Sequence, residues 1–184
     1  PYLQQYSTIL PQAKQKKVSL KVLTVDDNDA NLKLINTLLA EHVDHIDSAR
    51  DGAEAWHKAT QHAYDIIFMD IEMPEMNGIE AVFQVKQKFP HIKIIMLTVF
   101  DNDENIFKSI KAGADGYLLK EINPPELYNA IKETLAGGAI MTPSIALKTL
   151  RMFRDPETYQ NITNVEDIKL SQREIEVLEQ LSKG

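Results

Sequence analysis

The sequence predicts an open α/β fold built on a parallel sheet of five strands, and two observations carry that expectation. From Val18 to about residue 138, short apolar runs alternate with amphipathic stretches of about ten to twelve residues, the pattern of repeated βα units. Asp26, Asp27, Asp70, Thr98 and Lys120 follow four of those runs in order. Open α/β sheets gather their chemistry at the carboxyl ends of the strands, so the five polar groups should converge.

The elements follow in sequence order. Strands are expected near 20–25, 45–49, 65–69, 92–97 and 116–119, and helices over 29–41, 53–62, 78–89, 102–112 and 125–136. The first helix carries Leu32, Ile35, Leu38 and Leu39 on one stripe, with Asp29 placed as its N-cap. The last follows Asn123-Pro124-Pro125, a cap candidate with prolines that a first turn tolerates, and stops at Gly137-Gly138. Trp56 and the methionines Met69, Met73 and Met76 read as core and loop packing.

Outside this repeat the pattern changes. Residues 1–17, rich in Gln and tipped with Lys, read as an N-terminal extension, and 18–138 as one folded domain. Residues 139–169 read as a linker, with a further helix over 142–154 and a polar stretch after it. From Leu170 a new pattern opens, with a capping box of Ser171 and Glu174 and a stripe of Ile175, Leu178 and Leu181. One short amphipathic helix cannot bury its own face, so residues 170–184 read as the opening of a truncated second domain.

Composition narrows the function classes. The chain has 184 residues, 43% of them apolar, which suits one well-cored domain with an appendage. A net charge of −7 argues against nucleic-acid binding through the overall field. The absence of cysteine excludes disulfides, thiolate catalysis and cysteine-ligated zinc, and a cytoplasmic location is the simplest expectation. The apolar runs fall short of the roughly 20 residues a membrane helix requires, so no membrane association is expected.

The chemistry follows from charge. Three carboxylates brought together repel one another and stay ionised only with a cation nearby. Mg²⁺ prefers hard oxygen ligands and takes one or two protein carboxylates together with phosphate oxygens, a description that Asp26, Asp27 and Asp70 fit. Asp70, on the central strand end, is the candidate nucleophile for an aspartyl phosphate. Lys120 would balance phosphoryl charge, and Thr98 would donate a hydrogen bond to the same oxygens. Tyr117 and Lys120, three apart on one short strand, should point to opposite faces. His42 and His45 lack a third ligand nearby in sequence and read as ordinary surface histidines.

The segments Val25-Asp-Asp-Asn28, Met69-Asp-Ile-Glu-Met-Pro74 with Gly78, Leu97-Thr98, and Gly113-Ala-Asp-Gly-Tyr-Leu-Leu-Lys120 resemble the receiver domain of response regulators over roughly residues 18–138. The resemblance implies a doubly wound, flavodoxin-like sheet of order 2-1-3-4-5. It implies that Asp70 is the phosphoacceptor, that Asp26, Asp27 and the backbone carbonyl of Glu72 join it in holding Mg²⁺, and that Lys120 pairs with the phosphoryl group. Thr98 and Tyr117 would form the switch pair, the hydroxyl moving to the phosphate as the ring turns inward. Leu97-Thr-Val-Phe-Asp101 and residues 170–184 are similar to the NarL/FixJ group, whose output is a LuxR-type helix-turn-helix, with only its first helix present here. Two positions depart from the commonest receiver pattern. Val99 stands where a small residue often follows the switch threonine, and Glu72 faces the phosphate.

By that resemblance the protein is a two-component response regulator that takes phosphate from a histidine kinase or phosphotransfer protein. It would dimerise on activation, bind DNA only as the full-length protein, and act as a transcriptional switch rather than an enzyme. Two rivals use the same residues: a receiver-fold interaction module regulated without phosphate, and a Mg²⁺-dependent phosphohydrolase. Retention of all five site residues counts against the first. The absence of an Asp-x-Asp arrangement at Asp70 counts against the second, since Glu72 is a weak stand-in.

Overall fold

The computed structural model describes residues 18–99 and 102–154. The N-terminal extension, Phe100, Asp101, the polar stretch after Arg154 and the expected helix from Leu170 lie outside the described residues.

The chain alternates strand and helix throughout: β1 (Val18–Val25), α1 (Asp29–Leu39), β2 (Val43–Ala49), α2 (Gly52–Gln61), β3 (Ile66–Met69), α3 (Gly78–Lys88), β4 (Lys93–Thr98), α4 (Asp103–Ala112), β5 (Gly116–Leu119), α5 (Pro124–Leu135), β6 (Ile140–Met141) and α6 (Pro143–Arg154). All pairings are parallel, in the order β2-β1-β3-β4-β5-β6. The five expected strands therefore appear in the expected order. A sixth, beside β5, was not expected, because two residues are too few for alternation to register.

Both faces of the sheet are covered, which explains why β3, β4 and β5 read as near-continuous apolar runs. Ile66, Ile67, Phe68 and Met69 of β3 are all buried. On one face Leu23, Val25, Ile67, Met69, Ile94, Met96 and Tyr117 pack under residues of α2, α3, α4 and α6. On the other, Val22, Ile66, Phe68, Ile95, Leu97 and Leu118 pack under α1 and α5. Met69 and Met76 are core residues, and Trp56 and Met73 pack at its margin, as expected.

The helix starts are set by side-chain caps. At α1 the cap is Asn28, not Asp29: its side-chain oxygen accepts from the amides of Ala30 and Asn31. Asp29 is already helical, in the first turn, where its charge meets the positive end of the helix dipole and pairs with Arg50 at 3.1 Å. Asn123 and Glu126 close a reciprocal capping box on α5, with Pro124 and Pro125 in the first turn where their missing amides cost nothing. Gly113 ends α4 at φ 105°, a left-handed conformation that an L side chain resists.

Residues 140–154 are not a free tail. β6 pairs with β5, and α6 lays Ile145, Thr149 and Met152 inward against the face that holds Tyr117. Ile145 is fully buried. Leu147, Leu150 and Phe153 point outward and are exposed.

Candidate functional site

The order β2-β1-β3 means that the chain leaves β1 toward one edge and returns to β3 on its other side. The carboxyl ends of β1 and β3 therefore flank the point where connections diverge, leaving a crevice between loops. Asp26 and Asp27 follow β1 and Asp70 follows β3 at that point. Backbone ladders continue one rung beyond the strands and fix these residues. The amide of Asp26 donates to Ala49 at 3.1 Å, that of Asp70 to Val25 at 2.9 Å, and that of Lys120 to Thr98 at 2.9 Å.

Four of the five expected side chains, Asp26, Asp27, Asp70 and Lys120, come together at the strand ends. Carboxylate oxygens of Asp26, Asp27 and Asp70 lie within 4.8 Å of one another, with Asp26 and Asp70 buried and Asp27 exposed. The ammonium of Lys120 sits 2.6 Å from Asp26 Oδ2 and 2.7 Å from Asp70 Oδ2. The other oxygens are engaged. Asp26 Oδ1 accepts from the Asn28 amide and from Asn31 Nδ2, both at 3.0 Å, and Asp70 Oδ1 accepts from the Ile71 amide at 2.8 Å.

Burial pushes the Asp70 carboxyl above the usual carboxylate range. Lys120 and the Ile71 amide offset part of that rise, and the neighbouring Asp26 charge adds to it. Burial works to lower the Lys120 ammonium, but its two carboxylate partners more than compensate and hold it raised. Asp26 Oδ2 is buried and accepts no hydrogen bond of regular geometry, so its partner is the nearby positive charge alone. Hard, crowded, half-satisfied oxygens of this kind fit a small divalent cation.

Thr98 is fully buried at the end of β4, and Tyr117, 1% exposed, pairs with Met96 two residues earlier on that strand. Thr98 and Tyr117 thus share one sheet face on adjacent strands, and the ring lies inside the core beneath α4 and α6. Lys120 is at the strand end among the acids, so it and Tyr117 do point apart. Glu72 and Val99 are exposed at the rim. His42 stacks on Tyr128 with ring centroids 4.5 Å apart, and His45 pairs with Asp47 at 3.2 Å. Among the described residues, Asp26, Asp27 and Asp70 form the cluster able to hold a metal ion.

Sequence reasoning gave no role to Asn31, which orients Asp26 from the first turn of α1. Its signal was a polar residue of modest helix propensity five positions after the acid. Nor did it find the reason for Gly78. A Cβ there would lie 1.8 Å from the carbonyl oxygen of Asp70, so only glycine lets α3 begin against the backbone of the central acid.

Residues 22–132 match the family model described as the response regulator receiver domain. The transcriptional regulatory protein LnrK of Bacillus subtilis is 33% identical over 171 residues, which span 90% of this chain and 78% of that protein. The response regulator protein VraR of Staphylococcus aureus is 32% identical over 170 residues, spanning 91% of this chain and 78% of VraR. Among solved structures, a LuxR-family two-component response regulator from an Aurantimonas species superposes with a TM-score of 0.69 at 28% identity, covering 74% of this chain and 99% of that one. A CheY-like receiver domain protein from Methanospirillum hungatei gives 0.63 at 31% identity, covering 65% and 96%.

Proposed function

The chain belongs to the response regulator receiver family and is a two-component response regulator, and from that premise we propose that Asp70 takes the phosphoryl group. The observation that carries this reading is the single ammonium of Lys120 held between Asp70 and Asp26. Asp26, Asp27, Asp70 and the backbone carbonyl of Glu72 are the groups that would hold Mg²⁺, which when bound supplies positive charge to the phosphoryl oxygens.

The donor is a phosphohistidine on a histidine kinase or phosphotransfer protein. A carboxylate oxygen of Asp70 attacks phosphorus, the P–N bond breaks, and the imidazole leaves with the electron pair and takes up a proton. Lys120 and the Ile71 amide favour the ionised Asp70 carboxylate, the form that attacks, and offset part of the push of burial. Lys120 then follows the charge onto the phosphoryl oxygens, and Thr98 donates to them. Movement at Thr98 is passed to Tyr117 through the shared face of β4 and β5.

The chemistry runs once per signal, so the protein is a switch and not a turnover enzyme. In the whole protein the switch governs dimerisation and a DNA-binding output domain. No helix among the described residues is long and apolar enough to cross a membrane, which accords with action in the cytoplasm.

Intact mass after incubation with Mg²⁺ and acetyl phosphate tests the assignment. Wild type should gain one phosphoryl group, while Asp70→Asn and a metal-free control gain none. A labelled Asn variant would remove Asp70 from the role.

A further inference from the structure

The turn between β2 and α2 joins the two halves of the site. At one end the Ala49 carbonyl accepts the amide of Asp26 at 3.1 Å, and at the other the Gly52 amide donates to the Met76 carbonyl at 3.0 Å. Met76 closes the loop that follows Asp70 and carries Glu72, and its side chain is 1% exposed. The turn is itself held: Asp51 Oδ1 accepts from the Glu54 amide at 2.7 Å, and the Arg50 amide donates to the Glu54 carboxylate at 2.8 Å.

A Cβ at Gly52 would lie 2.6 Å from the Met76 carbonyl oxygen, 2.8 Å from Met76 Cγ and 2.9 Å from Ala81 Cβ. Gly52 is helical, so space rather than backbone dihedral excludes a side chain. The loop has little room to yield. Gly78 donates to the Ile71 carbonyl at 2.9 Å, and Glu75 is already at φ 63°.

We propose that residues 49–52 are a strut that sets the separation between Asp26 and the loop after Asp70, with Gly52 a positioning residue for cation binding. Gly52 contributes no ligand of its own. The proposal rests on the Mg²⁺ reading given above.

Calorimetric titration of Mg²⁺ into the full chain tests it, beside Gly52→Ala and Gly116→Ala. Gly116 is the control: a Cβ there would meet Ile140 Cγ2 at 2.7 Å, similar crowding at the opposite end of β5. Gly52→Ala should weaken Mg²⁺ at least tenfold and slow labelling by acetyl phosphate at fixed Mg²⁺, with the rate recovered at higher Mg²⁺. Gly116→Ala should lower Tm comparably and leave the affinity within twofold. If Gly52→Ala does not fold, Asp51→Ala loosens the same turn without adding bulk. It should weaken Mg²⁺, whereas Asp51→Asn, which keeps the cap without the charge, should restore it. Wild-type affinity in Gly52→Ala, or equal weakening in Gly116→Ala, overturns the strut alone; Mg²⁺ failing to bind wild type overturns it together with the metal reading.

Discussion

The Lys120 ammonium donates to Asp70 Oδ2 at 2.7 Å, across 50 positions of sequence. The same ammonium neutralises Asp26, so its removal leaves two buried carboxylates facing each other. Lys120→Ala should cost about 3 kcal/mol of stability without metal, the scale of breaking a buried pair. Added Mg²⁺ should restore part of that and still bind, while the response to phosphorylation is lost. Thermal melts with and without Mg²⁺ check the first point; an unchanged metal-free Tm would contradict it.

Asp70 gives an opposite and less intuitive expectation. Its carboxyl is raised in the folded state, first by burial. A raised pKa means that the group's contribution is fully present below the unfolded value near 3.8 and is lost as pH rises through the higher native value. Above that native value the ionised carboxylate is therefore a burden on the metal-free fold. Asp70→Asn should melt above wild type without Mg²⁺ and gain less from adding it. A pH series of melts would show the advantage shrinking toward acid.

Asp115 behaves in the reverse sense. Burial pushes its carboxyl up, but Lys86, the Ile94 amide and Lys93 together hold it below the usual range. Lys86 and Lys93 approach it at 2.5 and 3.0 Å at the start of β5, and all three are mostly buried. Its stabilisation is present above the unfolded value of 3.8 and disappears as pH falls through the lower native value. Asp115→Asn should cost about 3 kcal/mol at pH 7, and the difference from wild type should close under strong acid. Denaturant midpoints at the two pH values measure this.

The status of residues 140–154 can be tested by a single truncation of a side chain. Ile145 of α6 is fully buried in the core that also holds Tyr117. Ile145→Ala should destabilise the receiver by about 3 kcal/mol. A helix belonging to a detached linker would show no such loss.

The alternation of runs made the first five strands and helices legible, because the central strands are buried on both faces and each helix on one. The candidate site was legible for a related reason: five polar residues follow four apolar runs, in the order that a parallel sheet brings together at its carboxyl ends. Finer features depended on geometry that spacing does not encode. Asn28 and Asp29 are both acceptable caps, and only the backbone decides which side chain reaches the free amides. β6 is set by pairing with β5 rather than by its own two residues. Gly52 and Gly78 matter because of atoms far away in sequence, so nothing near them announces it.

The edges of the sheet bear on how the protein behaves in a crowded solution. An outer strand normally exposes a row of unpaired amides and carbonyls that can recruit another chain. Here one outer strand, β6, is only two residues long. The other, β2, carries Asp44, His45 and Asp47 within seven residues. Neither is a long, flat, uncharged template for strand addition, so the sheet is protected against runaway polymerisation when many copies are concentrated in one place.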